Sequence, residues 1–227
     1  MFGEKHSVSS FVREFIFGLE DGLITTLGIA SGVGAAVTGS YTVILSSLSG
    51  MFAGAISMAA ADYLSTKSQK EIIQRQEDIE KDEMKNIPWK EREEIEIIYK
   101  KKGFRGKMLK QIVDKITSNK SLWLKTMMVE ELGVVQQKTE QPERLAAYMA
   151  FSFLLGGFLP PVPYFLSVPK AALLPSVVIG MLTLFITGAA KTFLTKRNWV
   201  KSGIEMTAIG FAVFVVTYLV GSFFASL

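Results

Sequence analysis

The charged residues of this chain are concentrated in one internal segment. Residues 65–144 carry 33 of the 46 Lys, Arg, Asp and Glu side chains, although the chain as a whole is 49% hydrophobic. Two apolar blocks therefore enclose one charged block. This distribution excludes a single soluble globule, which would mix the two residue classes along its whole length. It predicts membrane-spanning segments on either side of a water-exposed insert.

Five stretches are long and apolar enough to cross a bilayer, which requires about 20 mostly apolar residues. The Lys and Arg residues of the loops place the N-terminus, the insert and the link between spans four and five in the cytosol. We therefore expect an all-α membrane protein with five transmembrane helices. Residues 1–64 would form spans one and two, 65–143 a cytosolic helical domain, and 144–227 the other three spans. The predicted spans are Phe15–Val37, Tyr41–Leu64, Ala146–Val168, Ala171–Phe193 and Ile204–Leu227.

The charged insert has the pattern of four helices. The stretch from Tyr63 to Lys85 has no Gly or Pro, so span two is expected to run out of the membrane as one long helix, which Asn86-Ile87-Pro88 then ends. The further helices are predicted over Pro88–Lys102, over Arg105–Thr117 with Met108, Ile112, Val113 and Ile116 as the apolar face, and from Leu122 to about Gln137, capped by Ser121. In span three, the prolines of Pro160-Pro161-Val162-Pro163 are expected to interrupt or kink the helix.

The composition argues against an enzyme. The chain has no Cys and one His, His6, so disulfides, thiolate metal sites and Cys nucleophiles are excluded and a His-based triad is disfavoured. A membrane ferroxidase with a di-iron site would normally need Glu-x-x-His pairs. We expect no catalytic cofactor. The net charge of +4 does not indicate a nucleic-acid partner, because basic and acidic residues alternate.

Carboxylates inside the predicted spans are candidates for function, because ionisable groups in a bilayer are costly. Asp21 lies one to two turns inside span one, and Glu14 lies seven residues earlier on the same face. The alternative for Glu14 and Glu20 is an interfacial side chain that reaches water. On span two, Met58 and Asp62 are four residues apart, and a thioether beside a carboxylate suits a transition metal. Packing is the commoner role of such a Met.

Spans one and two also carry glycines at GxxxG spacing, which allows close helix pairing within a subunit or across a dimer. The pairs are Gly18 and Gly22, Gly28 and Gly32, and Gly50 and Gly54.

The insert carries carboxylates at helical spacing. If three short helices pack with these faces together, the clustered negative charges require a cation. A solvated charged face, with Lys81, Lys85, Lys90 and Arg92 as partners, is the alternative, and spacing alone favours it. The pairs are Glu80 and Glu83, Glu91 and Glu94, and Met127 and Glu131.

Taken together, these residues resemble the vacuolar iron transporter family of proton-coupled ferrous-ion exporters, in a form that looks prokaryotic. The resemblance covers nearly the whole chain. It lies in Arg13-Glu14-Phe15-Ile16-Phe17-Gly18-Leu19-Glu20-Asp21-Gly22, in Ala53-Gly54-Ala55-Ile56-Ser57-Met58, in Tyr63-Leu64-Ser65-Thr66-Lys67-Ser68, in Gly188-Ala189-Ala190-Lys191, and in Trp199, Ser202-Gly203 and Tyr218-Leu219-Val220-Gly221.

The resemblance implies a homodimer in which the insert is a metal-binding domain, and this reverses the preference for a solvated face. It implies a transport path through Asp21 and Met58 near the dimer axis, with Glu14 at the cytosolic entrance. Asp62 is a further candidate for the path. The positions that match the family's metal ligands are Glu80, Glu83, Glu91, Glu94, Met127 and Glu131, with Met128 as a neighbour.

The expected function is export of Fe(II) from the cytosol in exchange for protons, with Mn(II), Co(II), Ni(II) or Zn(II) as other substrates. Gly50 stands where plant members have an acid, so a metal uniporter is the first alternative. A membrane-anchored metal sensor or buffer is the second. The short N-terminus favours a prokaryotic cell membrane over a vacuolar one.

Overall fold

The computed structural model describes residues 5–134 and 141–227, and the regular elements within them are all helical. The predicted all-α class is therefore confirmed. The elements are α1 (Lys5–Ala36), α2 (Ser40–Asn86), α3 (Pro88–Lys101), α4 (Gly106–Thr117), α5 (Lys120–Glu130), α6 (Pro142–Gly157), a 3₁₀ turn (Val162–Phe165), α7 (Pro169–Ala190), α8 (Thr192–Thr195) and α9 (Trp199–Ala225).

Four helices in the described part of the chain are long and apolar enough to cross a membrane: α1 over Phe11–Ala36, α2, α7 and α9. The third predicted span differs. Helix α6 has 16 residues, or about 24 Å, and ends at Gly157, three residues before Pro160. Because proline lacks an N–H and clashes with the preceding turn, the proline cluster ends the helix and a 3₁₀ turn follows.

The segment after α6 is held by hydrogen bonds from three hydroxyl groups. Ser176 donates to the carbonyl of Pro160 at 2.6 Å, and Ser40 donates to the carbonyl of Ser167 at 2.7 Å. Tyr164 lies in the 3₁₀ turn and donates to the carbonyl of Ala30 in α1 at 3.1 Å. These bonds provide partners for polar backbone groups in an apolar region.

Helix α1 packs against α6 and α9 through its own glycines, and against α7 through Gly180 of α7, which meets Leu27. A Cβ atom on Gly22 would lie 2.1 Å from the carbonyl oxygen of Phe153 in α6. A Cβ atom on Gly221 of α9 would lie 1.9 Å from the carbonyl oxygen of Gly32 in α1. The backbones approach too closely for any side chain, so the predicted close pairing is confirmed within one chain.

The chain divides into two compact units, Met1–Leu64 with Gln141–Leu227, and Ser65–Glu140. The boundary falls inside α2, which contributes to both. We refer to them as the membrane unit and the insert.

The insert has its own hydrophobic core, formed by Ile95, Leu109, Val113, Ile116, Trp123 and Met127. The apolar face of α4 is rotated from the predicted one, because Leu109 is buried and Met108 is exposed. Helix α5 begins earlier than predicted: Asn119, not Ser121, is its N-cap and accepts from the N–H groups of Ser121 and Leu122. It ends at Glu130 instead of Gln137, which lies outside the described residues.

Candidate metal centre

Three glutamates of the insert converge. Glu80 and Glu83 lie on α2 and Glu91 lies on α3, and one carboxylate oxygen of each lies within 4.8 Å of the other two. Oxygens that bind one cation at about 2–2.5 Å are at most about 5 Å apart. The three side chains therefore have a spacing that a single cation can bridge with small adjustments.

The turn between α2 and α3, together with the core of the insert, explains this convergence. The turn at Ile87 and Pro88 redirects the chain, with Pro88 in the first turn of α3. Met84 and Ile95 then pack in the core of the insert. Glu80 precedes Met84 by one turn of helix and Glu91 precedes Ile95 by one turn. The core that holds Ile95 and the partly buried Met84 therefore brings the two glutamates together.

Two of these three glutamates are buried, and most of their carboxylate oxygens lack a hydrogen-bond partner. Glu80 is 4% exposed and Glu91 is 1% exposed. Within the described residues, Oε2 of Glu80 and both carboxylate oxygens of Glu91 have no hydrogen bond. An ionised carboxylate in this position costs several kcal/mol of free energy, unless a proton or a cation neutralises it.

Electrostatic repulsion connects Glu94 and Glu131 to the three converging glutamates, so that five carboxylates interact. Burial, followed by the negative charges of Glu131, Glu91, Glu83 and Glu94, raises the pKa of Glu80 to about 7. Burial and the same kind of repulsion raise the pKa of Glu91 to about 7. The pKa of Glu131 is also raised, first by partial burial and then by Glu94 and Glu83. At neutral pH the cluster therefore holds protons that an arriving cation would displace.

The partners of the nearby basic side chains help to decide whether the glutamates form a metal centre or a solvated face paired with Lys and Arg. Lys81 pairs with Glu77 at 2.7 Å and Arg92 pairs with Asp114. Both of these acids lie outside the cluster, which weakens the interpretation as a solvated, paired face. Lys90 differs, because its Nζ atom lies 3.3 Å from Oε1 of Glu94. From the sequence, Lys90 was only one of several possible partners for the glutamates. Its spacing of four residues before Glu94 is the pattern that could have predicted this ion pair.

The two predicted thioether ligands are buried. Met127 is completely buried in the core of the insert beside Ile95, and Met128 is also buried. The N–H of Glu131 donates to the carbonyl of Met127 at 3.0 Å, so Glu131 continues the last turn of α5. Met127, Met128 and Glu131 as metal ligands remain predictions, with Met127 placed in apolar packing.

In the membrane unit, Glu14 is buried and does not face water as an interfacial side chain would. Its Oε1 atom accepts from Nε of Arg13 at 2.9 Å. Asp21 and Glu20 are half-buried, and Glu20 interacts electrostatically with Lys191 and Asp21. Glu20 therefore lies in the part of α1 near Lys191, at the end of α7.

On α2, Met58 and Asp62 are both half-buried. Met58 packs against the cluster of Met51, Ala55 and Phe153. This packing is the commoner role that the sequence allowed for Met58. A transport path through Asp21, Met58, Glu14 and Asp62 remains a prediction.

Comparison with known sequences identifies the family of this chain. The profile of the VIT family matches residues 12–222. Vacuolar iron transporter 1 of Arabidopsis thaliana is 33% identical over 210 residues, which cover 91% of this chain and 84% of the relative. Vacuolar iron transporter 1 of Oryza sativa subsp. japonica is 32% identical, with 91% and 83% covered. The vacuolar iron transporter of Toxoplasma gondii is 32% identical, with 94% and 74% covered.

These relatives are named as transporters and not as enzymes, in agreement with the prediction for this chain. The resemblance inferred from the motifs is confirmed. Because the profile covers most of the sequence and the relatives align along nearly all of it, this chain belongs to the VIT family.

Proposed function

We propose that this protein transports ferrous iron out of the cytosol in exchange for protons, and that it also carries other divalent transition metals. The observation that carries the proposal is the pair of buried carboxylates Glu80 and Glu91, which lie beside Glu83. Within the described residues, Oε2 of Glu80 and both carboxylate oxygens of Glu91 lack hydrogen bonds. The names of the relatives support iron as the substrate.

The insert is proposed to collect the metal. Carboxylates bind a metal ion in their deprotonated form, so binding at neutral pH releases protons from Glu80 and Glu91. Glu83, Glu94 and Glu131 add charge and further oxygen ligands. Met127 would add a soft thioether, which favours a transition metal over Mg²⁺ or Ca²⁺.

The membrane unit is proposed to carry the ion across the bilayer as a homodimer. Glu14 would receive the metal, and Asp21 with Met58 and Asp62 would line the path. Protonation of these carboxylates from the far side would release the metal, which couples export to proton entry. Helix α6 with the following 3₁₀ turn would complete a fifth crossing. The N-terminus and the insert would then face the cytosol of a prokaryotic cell.

A counterflow assay tests the proposal. Purified protein in liposomes receives external Fe(II) without oxygen, with a pH-sensitive dye inside and an imposed pH gradient. Iron entry coupled to proton exit is the expected result. Iron entry without proton movement would instead identify a uniporter, and Gly50→Glu would be the first variant to examine. Tight binding without iron flux would identify a membrane-anchored sensor or buffer.

A further inference from the structure

One ammonium group faces most of the carboxylate cluster. The Nζ atom of Lys90 lies 3.3 Å from Oε1 of Glu94. Its charge also acts on Glu83, Glu91 and Glu131. Lys90 therefore interacts with four of the five clustered glutamates, while 56% of its own side chain is exposed to solvent.

The other ion pairs between described residues of the insert do not share this arrangement. They join basic side chains to acids outside the cluster, as between Lys81 and Glu77, between Arg92 and Asp114, and between Lys102 and Glu130. The position of Lys90 is therefore a specific feature and not a general consequence of a segment rich in lysine and glutamate.

We propose that Lys90 is a tethered counter-cation of the metal centre, which an incoming divalent metal ion must displace from Glu94. The proposal rests on the function proposed above for the cluster. In the metal-free protein the ammonium neutralises part of the negative charge. A protonated lysine has three donors and no lone pair, so it competes for the carboxylates but cannot become a ligand.

Because Lys90 is half-exposed, displacing its ammonium group from Glu94 requires little free energy. A half-exposed lysine gains little from its ion pair, and its flexible stem lets the ammonium move into water. The positive charge nevertheless stays tethered near the bound metal ion and repels it. Lys90 therefore lowers the affinity of the centre and accelerates metal release, which suits a domain that passes its metal on.

The test compares metal binding by four forms of the full-length protein in detergent: wild type, Lys90→Gln, Lys90→Arg and Lys81→Gln. Mn(II) is the probe because it is stable in air, and the free ion is measured by electron paramagnetic resonance. Lys90→Gln is expected to bind Mn(II) about tenfold tighter and to release it correspondingly more slowly to a chelator, because a nearby positive charge is removed. Lys90→Arg, which keeps the charge, should remain close to wild type.

Lys81→Gln is the matched control, since Lys81 is also exposed and paired within its helix, but with acids outside the cluster. It should bind as wild type does. Equal or weaker binding by Lys90→Gln would overturn the proposal, and so would equal tightening by both glutamine variants. Lys90→Met serves as a second neutral variant should Lys90→Gln fold poorly.

A further arm separates this inference from the proposed function. If wild type and a variant with Glu80, Glu83, Glu91 and Glu94 changed to Ala bind Mn(II) equally, the metal centre itself is refuted. If the alanine variant alone loses binding while Lys90→Gln matches wild type, only the role of Lys90 is refuted.

Discussion

Glu14 in the membrane unit and Glu80 in the insert are equally buried, at 4% exposure each, but their surroundings differ. The carboxylate of Glu14 has the guanidinium of Arg13 beside it. The Oε2 atom of Glu80 has no hydrogen bond within the described residues, and its neighbours are other carboxylates. Burial alone therefore does not identify a metal centre. The missing partner is what distinguishes the proposed centre, because an unpaired buried charge must be neutralised by a proton or a cation.

The two units also differ in how their helices pack. In the membrane unit, glycines allow the backbones of neighbouring helices to come into close contact, as at Gly22 of α1 and Phe153 of α6. In the insert, large side chains such as Trp123 and Ile95 fill a core. Lipid provides no hydrophobic drive between helices, so close van der Waals contact stabilises the first unit. Burial of apolar surface from water stabilises the second.

The largest effect is expected for the carboxylates of the insert. Simultaneous change of Glu80, Glu83, Glu91 and Glu94 to Ala should lower the affinity for Mn(II) by on the order of 100-fold or more, since the anionic ligands are removed. Calorimetric titration of the full-length protein measures this. Glu93→Ala with Glu96→Ala, two exposed acids on the same α3, is the control and should leave binding unchanged. An unchanged titration for the fourfold variant would contradict the assignment.

In the membrane unit, Asp21→Ala should reduce Fe(II) flux into proteoliposomes by about tenfold or more, because a carboxylate of the proposed path is lost. Glu20→Ala is the matched control, since Glu20 is adjacent but points about 100° away on the helix. Its flux should fall much less. Flux through Asp21→Ala equal to wild type would remove Asp21 from the path.

The glycine contacts predict a smaller change, in stability and not in binding. Gly221→Ala would place a Cβ atom 1.9 Å from the carbonyl oxygen of Gly32, so α1 and α9 must separate at a cost of about 1–3 kcal/mol. Thermal unfolding in detergent should show a lower midpoint. Gly39→Ala is the control because nothing lies within 4 Å of its added Cβ atom. Equal midpoints for the two variants would contradict the close contact.

The smallest expected effect is a dependence of stability on pH. Because the pKa values of Glu80 and Glu91 rise from 4.5 to about 7 on folding, the folded metal-free protein binds protons more tightly than the unfolded chain. The stability from these groups is fully present below pH 4.5 and is lost as the pH rises to about 7. The unfolding midpoint of the metal-free protein should therefore fall between pH 5 and 7.5.

Mn(II) should restore that midpoint at pH 7.5, because metal replaces the protons. Glu80→Gln with Glu91→Gln should abolish this part of the pH dependence, since amides do not titrate in the range. A persistent decline in the double variant would show that other groups cause it.

Some local features were predictable because they depend on neighbouring residues only. The break at Asn86-Ile87-Pro88 and the pairing of Glu80 with Glu83 on one face follow from proline geometry and the period of the helix. The N-cap of α5 was not predicted. Asn119 and Ser121 are both good caps, and the extended backbone at Asn119 decides between them.

The sequence by itself determined that this chain is a helical membrane protein with a charged insert, because the segregation of charge and the spacing of its residues are local properties. Only the tertiary structure decided that Glu80 and Glu91 are buried together while Lys81 and Arg92 pair elsewhere. That outcome depends on Met84 and Ile95 packing in one core. Such contacts join residues of different helices, so they cannot be predicted from the sequence pattern of either helix alone.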